Sequence, residues 1–308
     1  MPKINFVGNL KKFTLISAIL IIAIIVFSFV FGVNLDIQFR GGSIITYSYE
    51  GDLDMPAFEQ TVNGAVGTSV SLQKSENIAT GQQTVVVSLP GTQSLSSEQM
   101  NTLSDTVQGT FAQNNLQTME ISNVDPTIGS EFLAKCLVAV AFASLLMVIY
   151  VAFRFRKIGG LSAGVIAVVA LIHDVVIVYG VFIIFRIPIN DNFMAVILTI
   201  LGYSLNDTIV IYDRIRENER MQSRNAQIGE LVNLSINQSF KRTLMTSITT
   251  VLAMVVVTVV AVIFNVDTII SFSFPLIIGL ISGSYSSICL AGPLWVKWQE
   301  NKQSKASA

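Results

Sequence analysis

The sequence predicts an all-α bundle of six transmembrane helices with one α+β, ferredoxin-like domain on the outer side of the membrane. Three observations predict it. Only 13% of the residues are charged and 52% are hydrophobic, whereas soluble domains carry about 25% charge. The apolar residues gather into six long runs. The cations segregate by side: three precede the first run, three lie in the link Arg154–Lys157, six lie between the fourth and fifth runs, and three follow the sixth. If the spans alternate, 15 of the 19 Lys and Arg fall on one side, which the positive-inside rule makes cytoplasmic, with both termini.

The first run, Phe13–Leu35, carries no charge. As a helix it is about 35 Å long at 1.5 Å per residue, enough for the roughly 30 Å hydrocarbon core. A short basic start precedes it (Lys3, Lys11, Lys12), as in a signal peptide. It exceeds the roughly 7–15 residues of a signal's apolar region, however, and no small-x-small cleavage site follows. Residues 1–35 are therefore read as a cytoplasmic N-terminus and a retained first span. The second run is Cys136–Phe153. The third, Ile158–Phe185, is interrupted by His173-Asp174, and the fourth, Phe193–Ile211, by Asp207. Thr243–Val266 and Thr268–Val296 are the fifth and sixth. Residues 131–296 thus hold helices two to six, and 297–308 form a cytoplasmic tail.

One insertion remains, residues 36–130, long enough for a small domain. "DIQFRGGSIITYSY" alternates and is β-branched, so it reads as a strand. "MPAFEQTVNGAV" reads as a helix, and "TSVSLQKS" and "QQTVVVSL" as two strands around a glycine-containing turn. "SSEQMNTLSDTVQGTF" is a helix with Ser96 as expected N-cap and Glu98 in its first turn. "LQTMEISNV" is a last strand. The order βαββαβ is that of a ferredoxin-like domain. Its only cations are Arg40 and Lys74 among many acids. That surface argues against nucleic acid and anionic lipid; it suits a solvated face or weak contacts with unfolded or basic polypeptide.

No enzyme, cofactor or metal site is expected. There is no GxSxG, phosphate loop or HExxH. The two cysteines, Cys136 and Cys289, lie in apolar runs without metal or disulfide spacing. Chemistry must be sought in the membrane, where an ionisable residue is a functional hypothesis because a charge in hydrocarbon costs several kcal/mol. Asp174, beside His173, and Asp207, flanked by Asn206 and Thr208, qualify. Burial and a nearby cation act oppositely on a carboxyl's proton affinity, so such a group can be poised to load and release a proton. Arg242, at the start of the fifth run, is the expected partner of Asp207, with a hydroxyl stripe Thr246, Ser247, Thr249 and Thr250 behind it. For Asp174 and His173 two readings stay open: proton handling, or interhelical hydrogen bonding worth about 1 kcal/mol. Asp213 and the "DRIREN" run read as interfacial ion pairs. Gly202, Gly279 and Gly283 read as close helix contacts, Gly279-xxx-Gly283 matching the small-xxx-small pattern, with Ser284, Ser286 and Ser287 beside them as packing residues.

Several stretches together resemble one family. "ILTILGYSLNDTIVIYDRIREN" resembles the fourth-span signature of SecF, the smaller half of the SecD–SecF accessory complex of bacterial protein export. "FRGG" after the first span, "VDPTIGSEF" before the second, "ALIHDVVIVYG" in the third, "SINQSFKRTLMTSITT" leading into the fifth and "GLISGSYSSICLAGPL" in the last are similar in order. Arg40 stands where a threonine is expected and is similar to the SecD half. The resemblance implies half of a resistance-nodulation-division type transporter in the bacterial cytoplasmic membrane. It also implies SecD as heterodimer partner, the SecYEG channel, SecA acting from the cytoplasm, a translocating preprotein, and YajC as a further companion. In that family the acid at the position of Asp207 and the arginine at that of Arg242 are implicated in proton conduction. Two rival readings remain: half of a proton-driven small-molecule exporter of the same superfamily, and a non-conducting translocon scaffold.

Overall fold

A computed structural model describes residues 4–67, 70–77, 82–90, 97–124, 126–221, 227–264 and 266–307. The first helix, α1 (Leu10–Phe31), ends at Gly32, whose φ of 71° turns the chain out of the helix. The apolar run continues to Leu35, but that residue makes a parallel bridge to Ile189. The expected first strand begins late. Ile37–Arg40 is a single helical turn, α2, because the Asp36 side chain accepts the Gln38 N–H. Gly41 and Gly42, at φ 83° and 140°, then redirect the backbone, and strand β1 runs over Gly42–Tyr49.

The rest of the insertion folds as α3 (Met55–Val66), β2 (Ser71–Asn77), β3 (Gln82–Pro90), α4 (Ser97–Thr110) and β4 (Gln117–Val124). Asp54 caps α3 through the Ala57 N–H, and Pro56 sits in its first turn, where its missing N–H costs nothing. Ser96 and the β2–β3 turn lie outside the described residues. The strands form one antiparallel sheet of order β2-β3-β1-β4. Side chains alternate with period two: Val85, Val87 and Leu89 of β3 are buried, and the residues between them are half-buried. That buried face meets Phe58 and Val62 of α3 and Leu103 and Val107 of α4 in a separate small core.

Five more long helices complete the chain. They are α5 (Pro126–Arg154), α6 (Gly160–Ile184), α7 (Asp191–Met221), α8 (Ile228–Ile263) and α9 (Asp267–Tyr285). A π-turn, Ser286–Ala291, continues α9 without a break into α10 (Gly292–Ser307). With α1 this makes six helices, among the described residues, long and apolar enough to cross a membrane, so the chain is a multi-pass membrane protein with a helical bundle. More than half of the apolar window is buried in α6, α7 and the α9–α10 helix, against about a tenth or less in α1, α5 and α8. The first three are the centre; the others present apolar faces such as Leu15, Ile19, Val138, Phe142, Leu252 and Val256 outward.

Two helices outrun their apolar runs. α7 continues from Ile211 through "YDRIRENERM", and α8 starts at Ile228, well before Thr243. At 1.5 Å per residue they reach about 46 and 54 Å, beyond any hydrocarbon core. The extensions pair with each other: Asn218 donates to Ser235 and Gln238, and Arg214 to Gln238. A helical hairpin therefore stands where a loop is expected from charge alone.

The sheet domain is clamped to the bundle at α2. Ile189 of the α6–α7 link exchanges backbone bonds with Asn34 and Asp36, and the Gln38 side chain accepts the Asp191 N–H at the start of α7. Phe39 stacks near Phe132 of α5. Gly129 lets α5 approach this turn: a Cβ there would lie 3.1 Å from the Gly41 nitrogen. The Asp36 carboxyl in this joint is raised above its ordinary range, chiefly by burial; the Gln38 N–H opposes the shift and Asp191 adds to it.

Candidate functional site

Asp174, mid-way along α6, is 0% exposed. Its carboxylate is enclosed by hydroxyls. Ser282 of α9 donates to Oδ1 at 2.7 Å, and Ser286 of the π-turn and Ser204 of α7 donate to Oδ2 at 2.7 and 2.9 Å. The His173 Nδ1 lies 3.1 Å from Oδ1, and its buried Nε2 has no partner among the described residues. Three central helices thus converge on one acid. Glycine permits the convergence. A Cβ on Gly283 would sit 3.0 Å from the Ser204 Cβ, and one on Gly279 would meet the Ile200 Cδ1 at 2.0 Å. The π-turn turns two consecutive serines inward. Ser286 reaches Asp174, while Ser287 meets the Thr208 hydroxyl at 2.9 Å and donates to the Ser204 carbonyl at 3.0 Å. Such turns are rare and recur at functional sites.

Asp207, on α7, is also buried, at 2% exposure. Its environment differs. Among the described residues, the one hydroxyl in hydrogen-bond reach of it is that of Ser247 on α8, 3.4 Å from Oδ2. That hydroxyl has one proton and lies 2.8 Å from the Thr243 carbonyl, so the shorter bond takes it. Ser284 of α9 donates to the Ser247 oxygen at 2.7 Å, which holds Ser247 in place without supplying Asp207. The buried Thr243 hydroxyl, one turn before Ser247, has no partner among the described residues. Asp207 therefore faces the α7–α8–α9 seam with no short donor among them.

Arg242 is exposed and forms no ion pair with Asp207 within 4 Å, although it lies within electrostatic reach. Only part of the stripe after it faces α7. The Thr246 and Thr249 hydroxyls bond back to carbonyls of their own helix; the Thr250 hydroxyl does so too and accepts from the Tyr203 hydroxyl of α7 at 3.4 Å, while Ser247 is the member of the stripe that turns toward Asp207. Asn206 and Gly202 face outward, one turn apart on α7, and a Cβ on Gly202 would meet nothing within 4 Å. Gly202 is thus not a helix contact inside this chain. At the helix end the expected ion pairs are present: Asp213 accepts from Arg154 at 3.0 Å and Arg216 at 2.6 Å, and Arg214 pairs with Glu217. Sequence reasoning missed the serines as ligands. Ser282 and Ser204 carried no signal, and Ser284, Ser286 and Ser287 read as packing; a run of serines opposite two buried acids was the available clue.

Fold and site together define a class: a six-span membrane bundle with buried acids at its centre and one mixed α/β domain outside the bundle. The family model described as protein export membrane protein SecD/SecF, C-terminal, matches residues 103–301. The protein translocase subunit SecF of Calditerrivibrio nitroreducens is 35% identical over 94% of this chain and 92% of its own length. The protein translocase subunit SecDF of Bacillus subtilis is 32% identical over 99% of this chain, which covers 40% of that protein. The crystal structure of SecDF, a translocon-associated membrane protein, from Thermus thermophilus superposes with a TM-score of 0.79 at 30% identity. It covers 97% of this chain, which spans about two-fifths (39%) of that longer chain. The chain belongs to the SecD/SecF family of protein-export membrane proteins, as a SecF-type subunit.

Proposed function

We propose that the chain is the smaller half of a proton-driven SecD–SecF unit that promotes preprotein translocation across, and release from, the bacterial cytoplasmic membrane. Its partners are SecD, the SecYEG channel and the preprotein, with SecA driving the cytoplasmic stage. It acts as a transport subunit and not as an enzyme. Both termini lie in the cytoplasm, on the side of the excess cations, and the sheet domain lies outside. Its element order and strand order support a ferredoxin-like fold there.

Pairing with SecD is supported by the fused relatives and by one face of this chain. Ala195, Thr199, Gly202 and Asn206 are all exposed on α7 at helical spacing. Small and amide side chains suit close helix approach and hydrogen bonding far better than lipid contact. A second half covers that face.

Asp207 carries the proton. The observation that carries this reading is its burial with a single long hydroxyl contact. An anion there is not locked by donors, and the acid form needs none. Protonation removes the attraction to Arg242, and deprotonation restores it, so the seam between α7 and α8 has two arrangements. Motion at the start of α7 reaches the outer domain through Gln38 and the Ile189 bridge. One charge crossing the membrane supplies about 2.3 kcal/mol per 100 mV, which biases a two-state equilibrium some tens-fold. That suffices to rectify a sliding chain. The test is Asp207→Asn in vesicles containing the partner half and the channel: stimulation of translocation by a proton gradient is lost. Unchanged stimulation refutes the role of Asp207.

A further inference from the structure

At the cation-rich end of the bundle, the end of α5, the start of α6 and the side of α10 enclose an open cavity of about 760 Å³. Its lining is largely apolar: Leu161 and Val165 of α6, Phe153 of α5 and Trp298 of α10. Arg156, in the turn before α6, and Lys302 of α10 also line it. α10 is fixed here: Trp295 and Gln299 both donate to the Ser162 hydroxyl, at 3.1 and 3.0 Å. Gly159, at φ 86°, lets Gln299 come close; a Cβ there would lie 2.6 Å from its Nε2.

The cations at this end of the molecule fall into paired and unpaired sets. Arg154, Arg214 and Arg216 are each matched by a carboxylate. Among the described residues Arg156 and Lys302 have no ion pair, Arg156 lying only over the Phe153 ring at 5.4 Å. The nearest acid on α10, Glu300, does not line the cavity. Two uncompensated cations thus stand above an apolar trough, with an indole and a phenyl ring at the level where spans leave hydrocarbon. A ligand that matches has a negative head for the cations and a hydrocarbon tail for the trough.

We propose that this cavity binds an anionic phospholipid, its phosphate between Arg156 and Lys302 and an acyl chain along Leu161 and Val165. The occupant is a lipid because α5 and α6, which supply most of the lining, are spanning helices whose outer medium is bilayer, and the cations stand at the end where those spans leave it. A cation near an anionic lipid surface contributes about fivefold in affinity, so the site distinguishes phosphatidylglycerol from phosphatidylcholine. The lipid ties α10 to α5 and α6 at the base of the π-turn helix.

The test uses the full chain in nanodiscs with brominated lipids as quenchers. The chain has two tryptophans, and Trp295 is 2% exposed, so quenching reports Trp298. Brominated phosphatidylglycerol is expected to occupy the site at least about fivefold more strongly than brominated phosphatidylcholine. In Arg156→Gln/Lys302→Gln the preference falls to near one while Trp295 emission, the check on folding, is unchanged. Glu300→Gln leaves the preference intact. Four results overturn the proposal: no preference in the unaltered chain; a preference that survives the double substitution; a response of Trp298 to inorganic phosphate in phosphatidylcholine nanodiscs, which marks a free-anion site; or loss of quenching by both lipids once the partner half is bound, which marks a protein contact.

Discussion

Asp174 on α6 receives three serine hydroxyls within 2.9 Å and touches His173, whereas Asp207 on the neighbouring α7 has one hydroxyl at 3.4 Å that is engaged elsewhere. Both are almost completely buried. Burial alone therefore does not distinguish the two acids; the supply of donors does. A carboxylate with a full set of short donors is held in one place, and it stitches helices together. A carboxylate without them is free to change state when its surroundings move. The serines of the α9–π-turn segment serve both acids. Ser282 and Ser286 reach Asp174, and Ser284 reaches the Ser247 that faces Asp207.

The sharpest way to break this comparison is to neutralise each acid. Asp207→Asn is expected to abolish gradient-dependent stimulation while the chain still co-purifies with its partner at normal yield. Asp174→Ala is expected to do the reverse in kind. It strands Ser204, Ser282 and Ser286, and at about 1 kcal/mol per interhelical bond it costs roughly 2–3 kcal/mol, seen as a lower melting temperature in detergent and poor assembly. If Asp174→Ala assembles normally and only loses coupling, the division between the two acids fails.

Smaller effects refine it. Gly279→Ala places a Cβ against Ile200 and is expected to cost about 1–3 kcal/mol by overpacking, with partial recovery in Gly279→Ala/Ile200→Ala. It loosens the Asp174 knot without touching an acid, so stability falls and the pH dependence of coupling stays. Ser247→Ala removes the hydroxyl that faces Asp207. Stability is expected to change by less than about 1 kcal/mol, while the pH midpoint of coupling moves; an unmoved midpoint means Ser247 does not sense Asp207.

The smallest effect lies outside the membrane. Asp36 has its carboxyl raised, chiefly by burial, so the folded protein holds that proton to higher pH than the unfolded chain. Its contribution is fully present below the ordinary carboxylate value and is lost as pH rises through the raised one. Asp36→Asn keeps an oxygen for the Gln38 N–H and removes the charge. Its melting temperature is expected to match the unaltered chain at low pH and to exceed it slightly at neutral pH.

Much of this was legible in the sequence. Six apolar runs gave six helices, and the insertion gave its helices and strands closely, because period-two and period-3.6 patterns follow from which face is buried. Asp36–Arg40 was misread because a cap and two glycines override β-branched alternation locally. The lengths of α7 and α8 were misread because hydropathy stops at the membrane, whereas helices stop where caps or breaks occur. Asp174 and Asp207 were legible as buried acids. Their difference was not, since it depends on serines 30 to 112 positions distant from Asp174, brought together by close packing at Gly279 and Gly283. Arg242 was legible as a neighbouring cation but not as an open partner.

The central claim is that Asp207, and not Asp174, changes protonation. Infrared difference spectroscopy of the membrane-embedded complex across a pH step detects carboxyl groups that gain or lose a proton. The account predicts a carboxyl band that vanishes in Asp207→Asn and persists in Asp174→Asn. A band that vanishes in Asp174→Asn and persists in Asp207→Asn contradicts it.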